Sequence, residues 1–357
     1  MDIGKIIRRI AGAYYPAAYL FVPVIRLKDR LEGGGMRRSL GEAIDAYCTE
    51  DQKNDAAFLR RTKRDMWYSF ILYHAAFNEY FLYHFPLLSH EGRRTFVLES
   101  EKNELCENMS QPEVWHRIWD KWSAYQLFRD FYHREAIAVG ADASPEEFRA
   151  FLAKHPRFIA KPRLESCGVG VTIYDAAAAG FDADAVFASL RGIDVICEEL
   201  IVQADELACL HPGSVNTVRV ATLIKDGAPV VLFTFLRIGR GGSIVDNAGA
   251  GGFAASVDKD TGVVLTPGVT ERLAEAVVHP DTGVQILGLR LPDWESLVAT
   301  AKRAAMVYPD HPYISWDFAY TEAGWVIVEA NCMGQFICPQ FTTGRGIRPY
   351  LQQYFDL

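Results

Sequence analysis

Apolar positions change period near residue 155. Upstream, they recur at helical spacing over 55–81, 112–139 and 145–154, with few strand signals. Downstream, short runs rich in Val, Ile, Phe and Tyr predict strands over 157–161, 169–174, 195–201, 215–224, 229–238, 253–258 and 263–267. Lys225-Asp-Gly and Asp260-Thr-Gly mark turns between them, and a helix is predicted over 293–306. The aromatic stretch 68–90, with His74, Asn78, Glu79 and His84, reads as a buried helix pair ending near Pro86. The pattern is that of an α+β protein with a mostly helical N-terminal region.

The apolar run from Ile10 to Ile25 follows Lys5, Arg8 and Arg9 and has the outline of a signal peptide. Pro16 and Pro23 interrupt it, charge resumes at Arg26, and no small-residue cleavage site follows. It is too short and too broken to span a bilayer. A helix packing on the core is therefore expected, with peripheral membrane contact the lesser alternative. The basic cluster Arg60, Arg61, Lys63 and Arg64 reads as a solvated helix face.

Composition narrows the class only mildly. A chain of 357 residues, half of them hydrophobic, can bury two or three cores. A net charge of −8 argues against nucleic acid as a general partner. Seven cysteines without a C-x-x-C suit reduced thiols and a cytoplasmic setting. Neither an H-E-x-x-H zinc motif nor a G-x-x-x-x-G-K-[ST] phosphate loop occurs. Gly249-Ala-Gly251-Gly-Phe-Ala254 fits the dinucleotide pattern, but it follows a polar loop and precedes a strand, the reverse of what that fingerprint needs.

The richest chemistry lies in Ser315-Trp-Asp317-Phe-Ala-Tyr-Thr-Glu-Ala-Gly-Trp-Val-Ile-Val-Glu329-Ala-Asn331. It reads as a hairpin around Glu322-Ala323-Gly324, with Gly in the left-handed position. Pairing Thr321 with Trp325 sets Asp317 opposite Glu329, and side-chain alternation puts Asn331 on the same face. Two carboxylates and an amide oxygen suit Mg²⁺ or Mn²⁺ that also meets phosphate; an edge hairpin with solvated acids is the plainer alternative. Further upstream, a strand delivers Lys161, and a loop carrying Ser166, Gly168 and Gly170 turns back into the next strand. Backbone N–H groups of such a loop can curl around phosphate oxygens beside an ammonium, although a surface lysine before a plain loop has the same pattern. An apolar strand ending in Glu198, Glu199, Leu200 and Ile201 then breaks into a polar segment with Gln203, Asp205 and Glu206.

The order Asp120-Lys121, Lys161-Pro with its Gly loop, Glu-Glu-Leu-Ile, and finally Asp…Glu-x-Asn resembles the ATP-grasp superfamily. Gln203, Ser214-Val-Asn216-Thr-Val-Arg219, Asp246-Asn247…Gly251-Gly252, His279-Pro-Asp-Thr-Gly and Leu291-Pro-Asp-Trp294 are similar to its sugar-transfer-associated branch, found with bacterial polysaccharide genes, over about 112–345. The resemblance implies a helical region 1–110 followed by two lobes, 111–202 and 203–357, that grip ATP. Lys121, Lys161, Ser166, Gly168 and Gly170 would meet the triphosphate. Glu198, Glu199, Leu200 and Ile201 would form the adenine hinge, with Asp205 or Glu206 at the ribose. Asp317, Glu329 and Asn331 would hold Mg²⁺ or Mn²⁺. Arg219 or Arg237 would meet the transferred phosphoryl group or an oxyanion, and Asn247 would belong to the substrate loop. Some ligases carry an Arg where Ser315 stands, which leaves that duty to Arg219 or Arg237.

What the resemblance implies is a carboxylate–amine ligase working through an acyl phosphate on small-molecule carboxylate and amine substrates, such as an amino acid or sugar acid. A small-molecule kinase and a non-catalytic ATP-binding module are the alternatives. His279 and His311 are expected to be structural before either is taken as a base.

Overall fold

The computed structural model describes residues 18–166 and 168–357, so Lys5, Arg8, Arg9, the start of the apolar run and Cys167 lie outside the described residues. The chain forms two compact units. Of the described residues, the first gathers 18–105 with 272–274 and 335–357; the second holds those of 106–271 and 275–334.

In the first unit, α1 (Ala18–Leu31), α2 (Gly35–Tyr47), α3 (Ala56–Tyr73) and α4 (Phe77–Leu82) enclose aromatic residues such as Trp67, Tyr80, Phe85 and Phe96. The expected helix 55–81 is split: Asp55 caps α3 by accepting from Ala57 and Phe58, and His74 ends it at φ 65°. Helix α1 passes through Pro23 instead of breaking there. It buries Ala18, Val22 and Asp29, and Tyr19 stacks on Tyr68 at 4.3 Å. Asp29 accepts from the Met36 N–H at 2.9 Å and so fixes the α1–α2 turn. The C-terminal segment joins this unit through the buried Gln340 carboxamide, which accepts from Val97 N at 2.9 Å and donates to Val97 O at 2.8 Å.

The second unit carries two antiparallel sheets. Strands β1 (Ala136–Val139), β2 (Arg157–Pro162), β3 (Thr172–Asp175) and β4 (Val195–Glu199) take the order β1-β4-β2-β3. Phe148, Phe158, Phe187 and Leu190 fill the core beneath them. The larger sheet has the order β11-β10-β5-β6-β7-β8-β9, with β5 at Thr217–Lys225, β6 at Ala228–Ile238, β7 at Phe253–Val257, β8 at Gly268–Val269, β9 at Glu275–Ala276, β10 at Tyr313–Thr321 and β11 at Gly324–Asn331. Its core face packs Val218, Trp316, Phe318 and Ile327 against Phe128 and the small residues Ala301 and Ala304 of the helix Trp294–Ala305.

Three predicted elements of the second unit need correction. The stretch 112–139 is not one helix. Asp120 caps a new helix, α5 (Lys121–Tyr132), His133 closes it at φ 47°, and the last four residues become β1. The strand expected at 263–267 is reduced to isolated bridges at Val263 and Val264, and pairing passes to Gly268–Val269. In the final hairpin Gly324 is left-handed at φ 96°, as expected, but Trp325 pairs with Tyr320 and Thr321 with Gly324. A bulge between Asp317 and Phe318 absorbs the one-residue difference and restores Asp317 opposite Glu329.

Candidate active site

Strand register builds one face of the larger sheet. Asp317 lies opposite both Glu329 on β11 and Arg219 on β5, and Ser315 lies opposite Asn331. Arg219 grips Asp317 with two parallel bonds of 2.5 Å from Nε and Nη2, and Arg237 adds a third at 2.8 Å. Arg237 also pairs with Asp246 at 3.0 Å, so it stands between two acids. Burial alone would push the Asp317 carboxyl up, but the two guanidinium groups outweigh it and hold the carboxyl below its ordinary value.

A second cluster brings the lysines to the same strand. Asp120 caps α5, is clamped by Arg163 and sets Lys121 in the first turn. The Lys121 ammonium lies 3.3 Å from Glu329 and donates to the Glu165 carbonyl in the glycine loop. Lys161 leaves β2 to meet Glu198 at 2.9 Å. Lys121, Lys161, Glu198, Tyr132 and Glu329 line one small cavity.

Glu198 departs from its expected place in an adenine hinge. Its carboxylate is buried between Lys161 and Arg134, and its backbone lies within a strand paired on both sides. Burial would raise its carboxyl; Arg134 and Lys161 more than offset this and lower it. Arg134 continues the chain of contacts, donating to the carbonyls of Ile327 at 2.5 Å and Val328 at 3.1 Å beside the bulge. Glu199 still belongs to β4, whereas Leu200 and Ile201 leave the sheet half-buried, and Asp205 and Glu206 are exposed in the first turn of a short helix.

Ser166, Gly168 and Gly170 lie on an exposed loop. Gly170 at φ 71° packs so closely on Pro162 that a Cβ would sit 2.8 Å from its ring. Asn247 accepts from Gly249 N and shapes the loop leading to Gly251-Gly252. At Gly252 a Cβ would stand 2.7 Å from the carbonyls of Asp246 and Ile238. Gln203 is a scaffold residue that pairs with buried Asn216. Both histidines are structural: His279 bonds the Gly239 carbonyl at 2.9 Å, and His311 bonds Ser110 and the Cys332 carbonyl.

The donor chemistry fits an oxygen-seeking dication. Glu329 is one-third exposed, and Asn331 keeps a buried amide nitrogen without a hydrogen-bond partner, as does the Ser315 hydroxyl opposite it. The Asn331 amide is therefore free to turn its oxygen outward. Asp317 fits less simply: Oδ2 takes two bonds and Oδ1 one, so lone-pair capacity remains on Oδ1. Sequence reasoning overlooked Arg134. The signal in the sequence is an arginine just ahead of Ala-Ile-Ala-Val, which the helical spacing of 112–139 conceals.

A family model described as sugar-transfer associated ATP-grasp matches residues 104–355. No protein of the curated set matches. Among solved structures, the ATP-grasp ligase PsnB complexed with minimal precursor is 15% identical, over 68% of this chain and 62% of that one, at a TM-score of 0.41. The D-cycloserine synthetase DcsG is 14% identical, over 70% of this chain and 76% of that one, at 0.42. D-alanyl-alanine synthetase A from Vibrio cholerae is 12% identical, over 68% and 65%, at 0.41. The chain spans about three fifths of the length of the first of these. Likenesses at this level bear on neither substrate nor partner.

Proposed function

We propose that this chain, which belongs to the sugar-transfer associated ATP-grasp family, is an ATP-dependent ligase that joins a small-molecule carboxylate to an amine through an acyl phosphate. The observation that carries the reading is the meeting of Lys121, Lys161 and Glu329 around one cavity, with Asp317, held by Arg219 and Arg237, opposite Glu329.

Lys121 and Lys161 would meet the ATP phosphates, and the loop with Ser166, Gly168 and Gly170 would close over them. Leu200 and Ile201 are the hinge residues free for the base, and Asp205 or Glu206 would reach the ribose. Glu329 and Asn331, with Asp317 sharing its free lone pair, would hold Mg²⁺, which supplies neutralising charge at the transferred phosphoryl group. A substrate carboxylate attacks the terminal phosphorus in line, breaking the bridging O–P bond so that ADP leaves and an acyl phosphate forms. The positioning comes from the lysines, and Arg219 and Arg237 offer fixed donors to charge that develops next to them. An amine then displaces phosphate from the acyl carbon, with the Asn247–Gly252 loop on the substrate side. The carboxylate would be an amino acid or a sugar acid.

Hydroxylamine tests this. With a panel of carboxylates and ATP, the reading expects a hydroxamate formed together with ADP and without AMP. A stable phosphomonoester and no hydroxamate would replace the ligase by a kinase.

A further inference from the structure

Helix α1 is two-faced in a way that the catalytic reading does not use. Ala18, Val22 and Asp29 are buried, while Leu20, Val24, Leu27 and Leu31 are 75, 53, 56 and 80% exposed. At ~100° per residue these four fall within ~60° of arc and form one apolar stripe. Lys28 and Arg30, both exposed, stand roughly 80° to either side of it. The helix cannot roll to hide the stripe, because Tyr19 stacks on Tyr68 and Asp29 is tied to Met36 and, at 3.3 Å, to Arg37. Arg64 of α3, itself exposed, lies 5.3 Å over the Tyr19 ring and adds a further cation beside α1.

Charge is concentrated at this end of the chain. Residues 1–38 carry eight Lys or Arg against three Asp or Glu, a net of +5 in a protein of net −8. We propose that the α1 stripe and its basic rim form a docking surface for an anionic lipid bilayer. The four side chains would enter the headgroup–acyl boundary while Lys28 and Arg30 reach back to the phosphates. No described helix is long and apolar enough to cross a membrane, so the contact is peripheral.

Two other occupants fit less well. The stripe is ~17 Å long and about one helix wide, so two copies together would bury only a few hundred Å², well short of the ~1,000 Å² of a stable interface. Folding residues 1–17 back over the stripe would add Lys5, Arg8 and Arg9 to a rim that is already positive.

Co-sedimentation of the full chain with vesicles tests the proposal. It should sediment with phosphatidylcholine vesicles containing phosphatidylglycerol, not with phosphatidylcholine alone, and salt should release it. Each Lys or Arg near an anionic surface strengthens binding roughly fivefold, so Lys28→Glu with Arg30→Glu should weaken it more than tenfold. Leu20→Asn, Leu27→Asn and Leu31→Asn combined should abolish it. Unchanged melting and Mg-ATP binding would show that both variants fold; the charge pair serves alone if the triple variant does not. Failure of the wild type to bind anionic vesicles would overturn the proposal, as would binding that neither variant weakens. A dimer in sedimentation velocity that the triple variant dissolves would make the stripe a self-interface instead. Vesicle binding that appears only after deletion of residues 1–17 would assign the stripe to that segment.

Discussion

Glu198→Gln removes one charge from the most buried ionic cluster of the second unit. The side chains of Glu198 and Arg134 are 3 and 4% exposed, and Lys161 is 13% exposed. Glutamine keeps the shape and can accept from one cation, but it turns its NH₂ toward the other, which leaves two positive charges facing each other. Removing one partner of a buried ion pair costs ~3–5 kcal/mol. Lys161 can relax toward the cavity, so the lower end, about 3 kcal/mol, applies. In a body of ~200 residues each kcal/mol moves the melting point by ~2–4 °C, so a fall of ~6–12 °C is expected by calorimetry. Pairing Glu198→Leu with Arg134→Met removes both buried charges and should cost less than the sum of the single changes, with a coupling of ~2 kcal/mol. A Glu198→Gln melting point within ~2 °C of wild type would refute the cluster as a strut.

Lys161→Met should weaken ATP binding at least ~10-fold, because it removes a charge proposed to meet the phosphates, while costing less stability than Glu198→Gln, since Arg134 still neutralises Glu198; titration calorimetry and melting curves would separate the two effects. Glu329→Ala and Asn331→Ala should each lower ADP release by ~10²-fold or more with the melting point kept, because Glu329 is partly exposed and the Asn331 amide nitrogen has no hydrogen bond to lose; near-normal turnover in saturating Mg²⁺ would remove both from the metal set. In the first unit, burial raises the Glu79 carboxyl to about 7 although the N–H groups of Ala76 and Glu99 donate to it. The folded value lies above the ordinary 4.5, so this group's contribution is full below that pH and is lost as pH rises through about 7. Melting temperature should therefore fall between pH 5 and 8, with an upper limit of ~3 kcal/mol, and Glu79→Gln should flatten that slope; an identical slope in the variant would contradict it.

Much of the site was legible because it rests on periodicity. Alternation placed Glu329 and Asn331 on one face, and the β-rich runs located β2, β4, β5, β6 and β10. Asp317 came to lie opposite Glu329 by a route the pattern did not contain, through a turn one residue tighter and a bulge that cancelled it. Bulges depend on packing across the sheet, here Phe318 and Ile327 against the core, and leave no local mark. Glu198 was misplaced for a related reason. A glutamate ending an apolar strand looks solvent-facing until its partners are known, and Arg134 is 64 residues away in sequence. The break at 133–136 was hidden because Ala-Ile-Ala-Val is too short to show its period.

The discontinuity of the first unit has a consequence for biogenesis. Its buried Gln340 closes on Val97, and Arg348 closes on Glu101, only after residues 106–334 have been translated. At ~5–20 residues per second that interval is ~10–45 s, during which the nascent helices hold Phe96 and Tyr83 without their final cover. The unit bearing the lysines and acids can complete its sheets first. Released chains that end at residue 334 should therefore protect the second unit from protease while the first is still cut, and chaperone dependence should fall on the segment made earliest.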